Sequence, residues 1–296
     1  MSSSIELPRR GAFPANRLVA VALILPPLVF IAIFFVVPLA YQLYGSFTTA
    51  SPTALFGNGL TLEHYAAILS DDFYRLIITR TLLAAIIVVG LCLLIGYPTA
   101  FMMAWLRPRA RLIMLAVMML PLMVSNVIRA YGWIAILGRR GVINGTLLGL
   151  GLIDAPLPLL YGIGTIALGV MTILLPYMVI SIANTLASLD KVYGEAAASL
   201  GAGPVRTFIH VIWPLSSPGV AAGMMIALFL MLSAYVTITL LGGPRYKLLV
   251  SMVFDQVAAF QWPRAAAFAF VLLAIALIGG LFIELALRPR RVGGHG

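Results

Sequence analysis

One polar segment holds the residues whose types and spacing are most informative. Glu195, Ala196 and Ala197 are consecutive, Gly201 follows after three further residues, and Pro214 lies thirteen residues beyond that glycine. A single carboxylate among small side chains offers no partner group for acid–base or nucleophilic catalysis. A helix of small residues followed by a glycine bend is instead typical of a surface that docks into a partner. The spacing therefore predicts recognition in this segment.

Two short helices are expected to position this segment. The carboxylate of Asp190 can cap the first helix by accepting from N–H groups of its first turn, and Gly201 or Gly203 can end it in a left-handed conformation. Pro204 suits the first turn of the second helix, which is predicted to close at Pro214. Its apolar stripe follows the i, i+3, i+4, i+7 spacing and consists of Val205, Phe208, Ile209 and Ile212.

The other residue types that could do chemistry are scattered. Neither Lys191 nor Lys247 belongs to a GxxxxGK[ST] phosphate loop, so the chain has no recognisable means of cradling ATP. His64, His210 and His295 have no cysteine or carboxylate at metal-ligand spacing, and each is expected to be an ordinary surface or interfacial residue. We predict no catalytic residue, no metal site and no bound cofactor, and therefore no enzyme.

The composition indicates the medium in which these elements fold. The chain is 62% hydrophobic and 9% charged, with a mean hydropathy of +1.08, whereas soluble domains are about 45–50% apolar. A span needs about 20 apolar residues to cross roughly 30 Å of hydrocarbon. We predict an all-α membrane protein with about six transmembrane helices, near 18–43, 76–105, 112–136, 157–184, 216–241 and 265–287. Arg129 interrupts the third of these.

Basic residues beside the spans predict the orientation. With both termini in the cytoplasm, eleven of the 19 lysines and arginines lie inside, and the clusters at 107–111 and 288–291 closely flank spans there. The same orientation places Glu195 in the cytoplasm. The net charge of +10 is concentrated at span ends and forms no basic stripe with interleaved aromatic residues. It therefore predicts attraction to anionic membrane lipid and no nucleic-acid binding.

The domain organisation follows from the spans. The polar loop that carries Glu195 covers 188–215. The predicted units are a cytoplasmic tail at 1–17, a first transmembrane helix and external segment at 18–75, a core with five transmembrane helices at 76–287, and a cytoplasmic tail at 288–296.

Charged and aromatic residues at the outer ends of spans allow two interpretations. Placing a charge at the bilayer centre costs several kcal/mol. Arg129, with Tyr131 and Trp133, can form the outer mouth of a pathway or contact a docking partner. Alternatively, Arg129 reaches the headgroups while the two aromatic residues belong to the interfacial belt. For Arg80 and Glu284, interfacial placement is the favoured interpretation.

The segment around Glu195 resembles the EAA loop of ABC-importer permeases. That pattern is Glu-Ala-Ala, three residues, glycine, nine residues and Ile-x-Leu-Pro. The matching positions are Glu195, Ala196, Ala197, Gly201 and Pro214. Val211 and Trp213 stand where the family usually has isoleucine and leucine. The resemblance implies that the loop inserts into a groove on a cytoplasmic ATPase, where Glu195 would hold it by charge and hydrogen bonds.

Longer stretches resemble the spermidine/putrescine-type permeases of binding-protein-dependent systems. This resemblance implies a type I ABC-importer permease fold and adds Tyr235 to the pathway candidates. It reaches over most of 76–265 and rests on 128–133, 141–144, 175–179, 214–219, 235–237, 240–243 and 261–263. One departure is that Ser233, Ala234 and Ile238 occupy places where relatives often carry glycine, an acid and a proline.

The resemblance also implies partners and a location. The partners are an ABC ATPase dimer that binds the ATP, a second permease subunit that is usually a paralogue, and a periplasmic solute-binding protein. The location is the bacterial inner membrane. The expected cargo is a small organic solute, either polyamine-like or an opine, amino acid or related compound. A polyamine would favour acids or aromatic faces along its path, and the spans offer almost no acids.

Two other functions remain open at this point. A gradient-driven secondary transporter would usually need polar or acidic coupling groups near the midplane and broken helices in paired halves. A membrane scaffold without transport activity agrees with the composition but leaves the Glu195 segment unexplained.

Overall fold

The computed structural model describes residues 17–51, 54–190, 192–244 and 246–288. Their regular elements are helical, with one isolated bridge between Thr48 and Leu60. The helices are α1 Arg17–Ile31, α2 Val37–Gly45, α3 Glu63–Ser70, α4 Asp72–Trp105, α5 Pro108–Met123, α6 Asn126–Leu137, α7 Val142–Gly149, α8 Ile163–Ser188, α9 Val192–Ser199, α10 Pro204–Thr207, α11 Trp213–Ser233, α12 Tyr235–Gly242, α13 Leu249–Ala258 and α14 Trp262–Leu287. Two π-helical turns, Ala32–Val36 and Phe208–Ile212, join α1 to α2 and α10 to α11. Apart from Arg17 and Arg288, the predicted tails at 1–17 and 288–296 lie outside the described residues, as does Lys191.

The described helices include five that are long and apolar enough to cross a membrane. A sixth span is available if the bent pair Pro108–Met123 and Asn126–Gly149 counts as one. In hydrocarbon every backbone N–H and C=O must be satisfied within the protein, and a helix does so within one segment. The prediction of an all-α membrane protein with about six spans is confirmed.

Helix α8 lies at the centre of the bundle. It packs most extensively against α4 and α11, while α14 packs against α11 and α13. Ile166, Leu174 and Met178 of α8 are buried in one cluster with Val88 of α4 and Met231 of α11. This cluster holds the spans that precede and follow the Glu195 segment in one packed unit.

Two glycines on one face of α11 allow it to approach α8 closely. Ser181 Oγ donates a hydrogen bond to the Gly219 carbonyl at 3.0 Å. A Cβ at position 219 would lie 2.7 Å from Thr185 Cβ, and one at position 223 would lie 2.8 Å from Met178 Sδ. The GxxxG spacing of Gly219 and Gly223 therefore serves a helix–helix contact within the chain.

Replacing Gly219 with alanine is expected to lower the stability of the protein. The added methyl group meets α8 below van der Waals distance, and overpacking typically costs roughly 1–3 kcal/mol. Gly164→Ala is the matched control, because a Cβ there meets no described atom within 4 Å. Thermal unfolding of the two variants in the same detergent tests this difference. Equal melting temperatures would contradict the close contact.

The first span is the least packed part of the described chain. Every side chain from 22 to 41 is exposed, and contact with the bundle is made by α2 against α14. The π-helical turn ends at Val36, two residues before Pro38, and the N–H of Val37 donates to the carbonyl of Ala32, five residues back. This wider turn allows the helix to continue past a proline that lacks an N–H donor.

The predicted bounds of the fourth and fifth spans were wrong. The fourth begins at Ile163 and not at 157, because the preceding residues are fixed outside a helix. Asn144 Oδ1 accepts from the Leu157 N–H at 2.8 Å, and Tyr161 has a φ of 65°. The fifth was predicted at 216–241, but its helix ends at Ser233. There Ala234 leaves the helical region, with a ψ of 53°, before α12 begins.

Two further features were not predicted. Helix α13 is a short apolar helix that packs against α14. His64, which was expected at a surface or interface, is buried with its Nε2 2.9 Å from the Thr48 carbonyl oxygen. This contact provides the Thr48 carbonyl with a polar partner in a buried position.

Candidate functional site

Helix α9 carries the candidate docking residues, and Asp190 fixes its start. Asp190 Oδ1 accepts a hydrogen bond from the Val192 N–H at 3.1 Å, as the sequence predicted. Glu195 lies in the first turn of α9, where a negative charge is favoured by the helix dipole. Its side chain is exposed, and no hydrogen bond or ion pair joins it to another described residue. The carboxylate is thus available to a partner.

Gly201 ends α9 in a left-handed conformation. Its φ is 78°, its N–H donates to the Ala198 carbonyl at 2.9 Å, and the Ala202 N–H donates to the Ala197 carbonyl at 3.0 Å. This pair of hydrogen bonds is the Schellman arrangement. Gly203 has a φ of −68°, so the sequence alternative is resolved in favour of Gly201. The bend between α9 and α10 is defined by backbone geometry at one residue.

The small side chains of α9 border a shallow cleft. The cleft has a volume of about 440 Å³ and lies between α9 and the helix that follows. Ala197 is buried against the chain, whereas Ala196 is exposed. Leu200 is 88% exposed, an extreme value for a leucine outside the lipid-facing spans. The arrangement offers an acidic group, small residues and one protruding apolar side chain on a single short helix.

The predicted apolar stripe of the second helix is divided by the π-helical turn Phe208–Ile212. Phe208 packs edge-on against Tyr97 and Phe101 of α4, whereas Val205 and Ile209 remain more than half exposed. Ile212 packs against the core on the same side as Phe208. Residues four apart therefore still share a face, but a π turn contains more residues than an α turn, so residues three apart do not. The stripe was therefore wrong as a single surface.

Pro214 does not close the second helix, contrary to the sequence prediction. One helical segment runs from Pro204 to Ser233. The N–H of Trp213 donates to the Phe208 carbonyl, in the five-residue pattern seen before Pro38. Pro214 then follows without breaking the helix. The segment 190–214, the candidate docking segment, is consequently continuous with α11.

Arg129 lies beside the break in the third span. Helices α5 and α6 are bent by 93° at this break, which leaves carbonyls at the end of α5 without helical partners. The Arg129 guanidinium donates to the carbonyls of Pro121 at 2.8 Å and Val124 at 3.1 Å, and to Asn126 Oδ1 at 2.6 Å. Neither sequence interpretation of Arg129 included this capping role. The span predicted near 112–136, with an interruption at Arg129, is a bent pair of helices whose break lies just before Asn126.

Replacing Arg129 with methionine is expected to destabilise the bend. The change removes three hydrogen bonds from a charged donor, each of which typically contributes about 1.5–3 kcal/mol. The Pro121 carbonyl then keeps only a long bond of 3.4 Å from the Val124 N–H. Asn126→Ala removes only one acceptor and serves as the milder comparison. Thermal unfolding in detergent should rank wild type above Asn126→Ala, and Asn126→Ala above Arg129→Met. A wild-type melting temperature for Arg129→Met would contradict the capping role.

The remaining pathway candidates are dispersed over two packed helices. Tyr131 is exposed and Trp133 is partly buried against the core, both on α6. Tyr235 begins α12, which packs on α6, and its ring stacks on Phe254 of α13 at 3.8 Å. A pathway role for Arg129, Tyr131, Trp133 and Tyr235 stays a prediction.

Asn144 is a polar anchor that sequence reasoning missed. It is fully buried, and its Nδ2 donates to the carbonyls of Gly138 at 3.0 Å and Leu157 at 3.1 Å. It therefore ties the loop before α8 to α7. An asparagine within an apolar run was the available signal, because a buried amide needs partners.

Comparison with known proteins places this arrangement in a family. Residues 92–291 match the family described as binding-protein-dependent transport system inner membrane component. The spermidine/putrescine transport system permease protein PotB of Haemophilus influenzae is 31% identical over 250 residues, covering 84% of this chain and 86% of PotB. PotB of Escherichia coli is 31% identical over 248 residues, covering 83% of this chain and 89% of PotB.

A solved structure shares the fold. It is the crystal structure of a bacterial ABC transporter involved in the import of the acidic polysaccharide alginate. The two chains superpose with a TM-score of 0.70 at 18% identity, covering 93% of this chain and 96% of the other. This likeness confirms the predicted importer permease fold. By sequence and by fold, the chain belongs to the family of inner membrane components of binding-protein-dependent transport systems.

Proposed function

We propose that this permease component draws its energy from a separate ATPase dimer that grips the loop 188–215. The observation that carries the proposal is the exposed Glu195 on α9, held by the Gly201 bend and continuous with the packed span α11. ATP binding closes the partner ATPases and displaces α9. The spans then alternate between inward-open and outward-open arrangements, and solute passes between two permeases.

The proposed orientation places α9 in the cytoplasm, together with both termini. Basic residues at 107–111 flank the end of α4 and the start of α5, which supports this orientation under the positive-inside rule. Single cysteines introduced near Gly201 and labelled with a membrane-impermeant reagent, in intact and in permeabilised cells, test this orientation. Reaction in intact cells would contradict the proposal, since no cytoplasmic ATPase could then reach the loop.

The proposed cargo is a polyamine-like small organic solute delivered by a periplasmic binding protein. Support comes from the two PotB relatives, which are named for spermidine and putrescine. The Escherichia coli permease PotC, named for the same system, is 24% identical to this chain over 260 residues. Similarity to both PotB and PotC supports pairing with a paralogous second permease.

The described spans give little support to a gradient-driven secondary transporter. Their acids lie near helix ends, at Asp72 in the first turn of α4 and at Glu284 in α14. Glu284 forms an ion pair with Arg288 at 3.6 Å. Neither position is at the middle of a span, where coupling groups of such transporters are expected.

Assembly with an ATPase tests the proposed function. The permease is co-expressed with an ABC ATPase and a second permease of the same transport system, and is purified through a tag on this chain. We expect the ATPase to co-purify with the full chain and to be lost when 190–204 is deleted, while the second permease is retained. Retention of the ATPase by the deletion variant would overturn the proposed coupling. Uptake of radiolabelled spermidine and putrescine into proteoliposomes containing the binding protein tests the cargo separately.

A further inference from the structure

Tyr97 of α4 forms a buried hydrogen bond to α11, a helix that is distant from it in sequence. Its hydroxyl lies 2.8 Å from Ser216 Oγ in α11, 119 residues away, and both residues are buried. Ser216 Oγ also donates to the Trp213 carbonyl at 3.1 Å. Because a serine hydroxyl has one proton, Tyr97 is the donor to Ser216. The hydroxyl of Tyr97 is therefore fixed to the start of α11.

The ring of Tyr97 contacts the same helical segment on both sides of its π-helical turn. The ring centroids of Tyr97 and Phe208 are 5.6 Å apart with the planes at 88°, and those of Tyr97 and Trp213 are 5.1 Å apart. Phe208 is the first residue of the turn and Trp213 directly follows its last residue. One side chain thus braces the turn at its beginning and its end.

The position of this turn gives the brace a mechanical consequence. The turn lies between the docking helices α9 and α10 and the span α11. π turns interrupt regular helical hydrogen bonding and occur often at functional sites. A displacement of α9 could be absorbed by bending at the turn, or it could be passed on to the spans. Contacts that bridge the turn favour the second outcome.

We propose that Tyr97 is a positioning residue that locks the π-helical turn, so that α4 moves together with the docking segment. This inference rests on the proposed function, because it assumes that an ATPase displaces α9. Phe101 of α4 also contacts Phe208, with ring centroids 6.1 Å apart, and adds to the same attachment. The hydroxyl of Tyr97 contributes beyond ring packing, since it alone reaches Ser216.

Spin labels measure this coupled movement without knowledge of the cargo. Cysteines are introduced at Val205 and Leu94, which are both exposed, in a Cys92→Ala background of the complete complex with its ATPase. In the labelled protein that retains Tyr97, we expect a single distance between the labels. This distance should not change when the ATPase is trapped with ATP and vanadate. In Tyr97→Ala we expect a second, shifted distance on trapping. A distance in Tyr97→Ala that stays at the wild-type value would overturn the proposal.

Transport stoichiometry provides the second measurement, with radiolabelled spermidine as the probe. Tyr97→Ala is expected to lower the solute moved per ATP about tenfold, within the range that coupling between sites produces, while ATPase co-purification stays at the wild-type level. Tyr97→Phe and Ser216→Ala keep the ring packing and should lower this ratio about threefold, because each removes one hydrogen bond between neutral groups. If Tyr97→Ala does not fold, these two variants are used to test the proposal. Tyr177→Phe, on the half-exposed part of α8, is the control and should leave the ratio unchanged.

The outcomes separate this inference from the proposed function. If the unsubstituted chain binds no ATPase, the proposed function fails before Tyr97 is tested. If the unsubstituted complex couples normally and the Tyr97 variants have the same stoichiometry and label distances, only the locking role fails.

Discussion

Replacing Gly201 with valine is expected to lower ATP-driven uptake strongly while the permease still inserts into the membrane. Gly201 has a φ of 78°, a region in which β-branched residues are strained. The strain costs roughly 1–3 kcal/mol, and the chain can relieve it by abandoning the Schellman turn. The α9 helix would then meet the ATPase at a different angle. We expect uptake in proteoliposomes to fall at least tenfold, since about 1.4 kcal/mol corresponds to a factor of ten.

Gly203→Val provides the matched control for this prediction. Gly203 is two residues away and has an ordinary φ of −68°, and a Cβ at either glycine meets no described atom within 4 Å. The two variants therefore differ in backbone conformation and not in crowding. Uptake should stay near the wild-type level in Gly203→Val. Equal losses in both variants would contradict the prediction, because they would show that coupling does not depend on the left-handed conformation at position 201.

Reversing the charge at Glu195 is expected to release the ATPase. The carboxylate is exposed and unpaired among the described residues, so its interaction energy is available to a partner. The proposed docking pairs Glu195 with basic groups of the ATPase, so Glu195→Lys would place a like charge there, which costs several kcal/mol. The lysine also opposes the dipole of α9 by about 0.3–1 kcal/mol. We expect binding of the purified ATPase to weaken about 100-fold or more, measured by titration against the permease in nanodiscs.

A neutral substitution separates charge from shape at this position. Glu195→Gln keeps the length of the side chain and one hydrogen-bond acceptor, and should weaken ATPase binding less than Glu195→Lys does. Membrane insertion and thermal stability should be unchanged in both variants, because the side chain contacts no core residue. ATPase affinity that is insensitive to Glu195→Lys would remove Glu195 from the docking surface.

Local signals in the sequence predicted the docking segment well. Asp190 as a cap, Gly201 or Gly203 as a left-handed terminator and Pro204 as a helix start each depend on neighbours within a few residues. Such preferences are set by backbone sterics and short-range hydrogen bonds. The number and type of spans were also predictable, because hydrocarbon imposes length and composition directly.

Features that depend on tertiary contact were not predictable from one sequence. A proline normally ends a helix. At Pro214 the helix continues because a π turn precedes the proline, and the packing of Phe208 on α4 supports that turn. Arg129 caps a bend whose existence is visible only once α5 and α6 are placed. Tyr97 and Ser216 are separated by more than a hundred residues, and neither stands out in an apolar stretch.

The exposed first span has a consequence for how the chain can vary. The side chains of this helix make few contacts within the chain. Its sequence is therefore constrained by hydrophobicity and length, and hardly by the shapes of the side chains. Substitutions among aliphatic residues there should be nearly neutral for folding, whereas the same exchanges in α8 would leave voids or clashes. Divergence among relatives should therefore concentrate at this end of the chain.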